Sequence, residues 1–131
     1  MEKSIGKFDV KFVQILDENG NCDEKEMPKL SSTDMKKIYE FMILTRVFDD
    51  KALKLQRQGR LGTYASTLGQ EAANVGSAFA IGDEDLVFPA FRENGVYLIR
   101  GMPPELLYAY WAGDERGMQI PKGVNMFTIS I

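Results

Sequence analysis

The chain has 131 residues, a net charge of −3, one cysteine and no histidine. That length allows one small domain burying about two thirds of its unfolded surface, and the charge gives no electrostatic basis for binding nucleic acid or an anionic membrane. The missing histidine excludes Ser-His, Cys-His and His-ligated metal chemistry within the chain, while lone Cys22 excludes an intrachain disulfide and fits a reducing cytoplasm.

No apolar run approaches the ~20 residues of a membrane span, and the first residues do not read as a signal peptide. Residues 1–30 read as an extended arm. Within it KFDVKFVQIL, residues 7–16, alternates imperfectly, with Phe8, Val10 and Phe12 on one face and Val13 and Ile15 on the other. A strand is expected there, with a bulge at the phase slip. Asp17 to Asn21 contains Asn-Gly and predicts a turn. Residues 22–30 are polar, contain Pro28 and read as a loop.

Residues 31–131 read as a helical segment. Ser31 or Ser32 can cap a helix from Thr33 to about Gln58, roughly 40 Å at 1.5 Å per residue. Met35, Ile38, Met42, Val47, Phe48, Ala52 and Leu55 recur close to the helical period, and Phe41 and Leu44 widen the stripe. Asp50 and Lys54 form an i,i+4 pair in the favourable order. Gly59 and Gly62 can end this helix and turn the chain. Thr67 and Gln70 have the spacing of a capping box, which predicts a second helix over Leu68–Ala80. Its apolar line is Leu68, Ala72, Val75 and Phe79. A second line of small residues, Gly69, Ala73, Gly76 and Ala80, would admit another backbone closely, and Gly82 would end the helix.

Leu86-Val87-Phe88 reads as a brief strand cut off at Pro89. A short helix is expected over Arg92–Arg100, closed by Gly101. Pro103-Pro104 starts another, with Leu106, Leu107, Tyr110 and Trp111 on its apolar face and Gly113 as its stop. Residues 113–125 read as a polar loop. Met126 to Ile131 is apolar and β-branched, and the sequence stops inside what reads as a buried element. Together with the small helix faces, this predicts apolar surface that drives association.

Phe91-Arg92 is the strongest candidate for chemistry. A guanidinium at a helix start can grip phosphate oxygens in bidentate fashion. On spacing alone the same arginine reads first as a surface partner of Asp85 or Glu93, since such exposed pairs are common. On residue types alone, the joint around residues 57–73 reads as a connection between helices, and the whole chain as a non-catalytic helical assembly module.

Five segments together resemble the α subunit of the thiamine-diphosphate-dependent 2-oxoacid dehydrogenases of the pyruvate and branched-chain types. They are RVFDDKALKLQRQGR (46–60), RQGRLGTYASTLGQEAA (57–73), GDEDLVFPAFRENG (82–95), LIRGMPP (98–104) and GMQIPKGVNMFTIS (117–130). The resemblance covers nearly the whole chain and is loosest over residues 1–30. It implies a mostly α structure with an N-terminal extended arm, the N-terminal portion of a larger α/β cofactor-binding fold. It also implies oxidative decarboxylation of a 2-oxoacid with transfer of the acyl group to lipoyl, in the cytoplasm. The implied partners are a β subunit in a heterotetramer and a lipoyl-bearing acyltransferase. An acetoin-cleaving relative has a similar α subunit.

By the same resemblance, Phe91 and Arg92 would contact the cofactor diphosphate, although the family often has Tyr where Phe91 stands. Ile131 would make a backbone contact to the cofactor, and Ser130 would be a ligand of a monovalent cation such as potassium. Residues 128–131 read equally as a core strand. Tyr64, Ala65 and Ser66 match a segment near the substrate entrance, which makes Tyr64 and Ser66 pocket candidates. Some members have histidine where Ala65 stands. The family's magnesium sequence Gly-Asp-Gly does not occur, since Gly82-Asp83-Glu84 and Gly113-Asp114-Glu115 both depart from it. The activating glutamate of the family belongs to the β subunit. The resemblance therefore assigns no catalytic residue to this chain, places the main magnesium ligands outside it, and implies that the chain alone is inactive.

Overall fold

A computed structural model describes residues 2–126. Contacts divide the chain into two units, Met1–Ser31 and Ser32–Ile131. In the first unit, residues 2–14 form no helix or strand, and Phe8, Val10 and Phe12 are exposed. The strand expected over 7–16 is therefore not formed. A strand needs a neighbour for its N–H and C=O groups, and the one ladder contact here is an isolated antiparallel bridge between Leu16 and Cys22. That bridge closes the expected turn. The Asp17 carboxylate accepts from the backbone N–H groups of Asn19 and Asn21 and from the Asn21 side chain.

The second unit is helical. Helix α1 spans Ser32–Arg57, α2 Glu71–Ala80, α3 Asn94–Ile99 and α4 Pro104–Trp111, followed by a 3-10 turn over Glu115–Met118. The mostly α expectation holds: β-structure in the described residues amounts to two isolated bridges. No described helix is long and apolar enough to cross a membrane.

Helix α1 ends as its glycine foretells. Arg60 N–H reaches back to Leu55 C=O and Gly59 N–H to Gln56 C=O, a closure that needs the left-handed φ of 69° that Gly59 adopts. Gly101 and Gly113 close α3 and α4 with the same pair of bonds. Helix α2 differs. Its last residue passes into extended backbone at Ile81, and Gly82 instead donates to the Asp85 carboxylate. The Arg100 guanidinium then holds three carbonyls of that turn, those of Gly82, Asp83 and Asp85, at 2.8–3.1 Å.

Helix α1 packs against α2 and α3, α2 against α3, and α4 against the 3-10 turn. The buried phase of α1 is Thr45, Phe48, Asp49 and Ala52. Two members of the expected stripe, Phe48 and Ala52, lie in it. Met35 and Val47 are exposed, because the buried phase runs through Thr45 and Asp49, polar positions that an apolar count passes over. The core continues through Tyr64, Val96, Leu98, Leu107 and Trp111. Phe48 stacks on Tyr108 with ring centroids 4.4 Å apart, and Tyr64 meets Trp111 edge-on at 5.1 Å.

Three further expectations are corrected. Helix α2 begins at Glu71, not Leu68, and Gln70 makes no side-chain cap bond. Thr67 to Gln70 forms a turn with Gly69 at φ 85°, and the buried Thr67 hydroxyl faces Asn94 instead. Leu86 and Phe88 are exposed, and only Val87 makes a bridge, parallel to Met126. The small-residue line of α2 admits no backbone here: Gly69, Ala73 and Ala80 are exposed, and a Cβ at Gly76 would meet nothing within 4 Å.

The close approach occurs at Gly95. A Cβ there would lie 2.9 Å from the Asn74 Cβ and 3.0 Å from the Thr45 Oγ1, so α3 crosses α2 and α1 at a point with no room for a methyl group. Gly95→Ala should destabilise the chain by about 1–3 kcal/mol, the usual cost of overpacking, seen as a lower midpoint in urea unfolding.

Glu71, in the first turn of α2, is buried and bonded to Arg46 of α1. The Arg46 hydrogen bond is the main cause holding its carboxyl at about 2, below the ordinary 4.5. A depressed pKa contributes stability above the unfolded value that is lost as pH falls through the folded one. Unfolding midpoints should therefore drop between about pH 4.5 and pH 2. Glu71→Gln should flatten that stretch of the profile while lowering the midpoint at pH 7.

Candidate functional site

One cavity of about 840 Å³ gathers most of the candidate residues. Its walls are the loop after α1 (Gly62 to Ser66), the turn before α3 (Phe91 and Arg92) and the end of α4 with the residues that follow it. Tyr64, Ser66, Phe91 and Arg92, separated by up to 28 residues, thus face one space. Ala65 lies on the same wall. Ser130 and Ile131 lie outside the described residues.

Arg92 precedes α3, which begins at Asn94, so the expected helix start at Arg92 is two residues early. Its Nη1 donates to the Ser66 carbonyl at 3.0 Å, and its Cζ sits 5.4 Å from the centroid of the Phe91 ring. The surface pairing with Asp85 or Glu93 is not made. The Asp85 carboxylate accepts from Gly82 N–H, and that of Glu93 from Ala90 N–H. A guanidinium carries five N–H donors, so Arg92 keeps donors for a ligand after bonding Ser66. Phe91 is half exposed and offers a ring face with no hydroxyl.

The wall at residues 64–67 is held from beneath by α1. Asp49 is 1% exposed. Its Oδ1 accepts from the Tyr64 hydroxyl at 2.8 Å and from Thr67 N–H at 2.6 Å, and its Oδ2 accepts from the Ser66 hydroxyl at 2.7 Å. Burial, reinforced by the bond to Asp49, pushes the Tyr64 hydroxyl above its ordinary 10, so it stays a protonated donor. Asn94 continues the network. Its amide nitrogen faces the Tyr64 and Thr67 oxygens at 3.4 Å, and its amide oxygen accepts from Trp111 Nε1 at 3.0 Å. Trp111 also accepts from Gly62 N–H through its carbonyl at 2.8 Å. Asp114 and Glu115 also line the cavity. Arg116 hydrogen bonds hold the Asp114 carboxyl at about 2, well below its usual range, and Glu115 lies beside it.

Sequence reading missed Asp49, Asn94 and Trp111 as parts of this site. For Asp49 there was a signal: it falls on the same helical phase as Phe41, Thr45, Phe48 and Ala52, where a carboxylate needs buried donors. Nothing in spacing marked Asn94. Among the described residues, no group of three or more Cys, Asp or Glu side chains is placed to hold a metal ion.

One guanidinium stands beside an aromatic face, over a wall whose hydroxyls are already committed to a buried carboxylate. The family model described as "Dehydrogenase E1 component" matches residues 39–131. A protein named "Pyruvate dehydrogenase E1 component subunit alpha" from Staphylococcus aureus is 39% identical over 126 residues, covering 95% of this chain and 34% of its own length. One of the same name from Staphylococcus epidermidis is 36% identical over 132 residues, covering 100% and 35%. The chain thus spans about a third of the length of these curated relatives.

Trp111 is the only tryptophan of the sequence and reports directly on the network. Asn94→Ala would leave its indole N–H and the Tyr64 and Thr67 oxygens without this partner. It should destabilise the chain by about 1–3 kcal/mol and shift the tryptophan emission to longer wavelength as water reaches the ring.

Proposed function

This chain belongs to the dehydrogenase E1 component family, and on that basis we propose that it forms the diphosphate-gripping part of the α subunit of a thiamine-diphosphate-dependent 2-oxoacid dehydrogenase. The convergence of Tyr64, Ser66, Phe91 and Arg92 on one cavity carries this reading. The substrate class is a 2-oxoacid, pyruvate by the names of the relatives. The acyl group passes to a lipoyl group of an acyltransferase component. The bound cofactor supplies the carbanion chemistry of decarboxylation.

The chain's own residues fit the diphosphate end of that cofactor. Arg92 supplies charge-assisted donors, its position steadied by the Ser66 carbonyl. Phe91 gives an apolar face where a Tyr would add a hydroxyl. Tyr64 and Ser66 wall the entrance and exclude water from it. Ile131 would touch the cofactor through its backbone, and Ser130 would bind a monovalent cation. The magnesium bridging the diphosphate needs oxygen ligands that this sequence lacks in the family's Gly-Asp-Gly form, so those ligands come from elsewhere in the enzyme. A β subunit supplies the activating glutamate, and the chain by itself is inactive. In this reading residues 1–30 are an arm, residues 31–131 an incomplete part of the cofactor-binding domain, and the compartment is the cytoplasm.

The test is thiamine diphosphate titration with magnesium, followed by Trp111 fluorescence, in the presence of a family β subunit. Arg92→Ala should weaken binding by about 10- to 100-fold, the worth of hydrogen bonds to a charged group, with assembly unchanged. Unaltered affinity would overturn the role of Arg92.

A further inference from the structure

The cavity wall rests on a carboxylate that does not line the cavity. Asp49 is buried in the middle of α1, and among the described residues its side chain is bonded by the loop after that helix: Tyr64 Oη, Ser66 Oγ and Thr67 N. Three donors converging on two oxygens determine the loop's position more strongly than any apolar contact could, because hydrogen bonds are directional. The same Ser66 that binds Asp49 through its hydroxyl receives Arg92 through its carbonyl. A two-step relay therefore runs from α1 to the guanidinium: Asp49 holds Ser66, and Ser66 holds Arg92. Tyr64, the second residue held, meets the Trp111 ring on the other wall.

We propose that Asp49 is a positioning residue for this site, acting through Ser66 to set where the Arg92 guanidinium presents its donors to a diphosphate. The assignment rests on the proposed diphosphate role of Arg92. Asp49 itself need not touch the ligand. Its chemistry is that of an acceptor: Thr67 N–H and the Tyr64 hydroxyl bond one oxygen and the Ser66 hydroxyl the other. An asparagine can keep this arrangement, with its oxygen taking the first two donors and its amide donating to Ser66 Oγ. An alanine cannot, and leaves Thr67 N–H and the Tyr64 hydroxyl without it. A glutamate keeps the acceptors but carries them one methylene further from the helix.

The experiment is a double-mutant cycle on thiamine diphosphate affinity, measured with magnesium in the complex of this chain with a family β subunit. Its members are the parent, Asp49→Ala, Arg92→Ala and the double variant. Asp49→Ala is expected to weaken binding about tenfold when Arg92 is present and less than about twofold when Arg92 is alanine, since residues in one hydrogen-bonded chain are non-additive. Asp49→Asn should restore affinity to within about threefold of the parent. Should Asp49→Ala fail to assemble, Asp49→Glu takes its place in the cycle, with a smaller loss that again requires Arg92.

Equal losses in both backgrounds would overturn the proposal and leave Asp49 a purely structural group. So would a parent-like affinity in Asp49→Ala while Arg92→Ala is weak, an outcome that leaves the function reading standing. No effect of Arg92→Ala, or no binding by the parent complex, would overturn the diphosphate role and this assignment with it.

Discussion

A buried carboxylate without a directly bonded cation is expensive unless hydrogen-bond donors surround it. Asp49 meets that requirement with three donors from a single loop, and much of the second unit follows from it. The loop cannot leave without exposing a desolvated charge. It must therefore run back across α1, which brings Tyr64 under Trp111 and Gly62 to the carbonyl of Trp111. Helix α4 is fixed from one side by that contact and from the other by the stack of Tyr108 on Phe48. A polar constraint, rather than the apolar stripe, thus sets the register between α1 and everything after it.

Asn94 extends the same constraint to α3. Its amide oxygen binds the indole and its amide nitrogen faces the two hydroxyls held near Asp49. One residue further on, Gly95 lets α3 lie directly against α1 and α2. These adjacent positions do different work. The first supplies directional bonds at the core side of α3, and the second removes the atom that would keep the helices apart. Phe91 and Arg92 sit just before this crossing, so their placement is inherited from it. That is how a half-exposed aromatic and an exposed arginine come to lie over a wall built mostly by another part of the chain.

The site's electrostatics divide by depth. Beneath the wall lies negative charge fully occupied by protein donors. At the mouth lies a guanidinium with donors to spare, and the lining also includes Glu115 and Asp114, the latter paired with Arg116. The Arg46–Glu71 pair is a structural tie between α1 and α2.

Local chemistry was legible from the residues alone. The Asn-Gly turn, the extent of α1, the proline start of α4 and the glycine ends at Gly59, Gly101 and Gly113 each depend on a few consecutive residues, and each formed as read. Phe91-Arg92, which lines the cavity, was singled out by its residue types and by resemblance, the Tyr64–Ser66 wall by resemblance alone. What failed depended on distant partners. The strand over 7–16 had the right alternation but no neighbouring strand. Thr67 and Gln70 had capping-box spacing, yet Asp49 took the Thr67 N–H and the Thr67 hydroxyl turned to Asn94. Small residues on α2 suggested close packing, but the crossing went to Gly95. Sequence by itself determined where α1 and α4 begin and where α1, α3 and α4 end, because those caps and turns are satisfied within a few residues. Only the tertiary structure decided which face of α1 is buried and which residues share the cavity, because a buried carboxylate chooses its donors by distance in space, not along the chain.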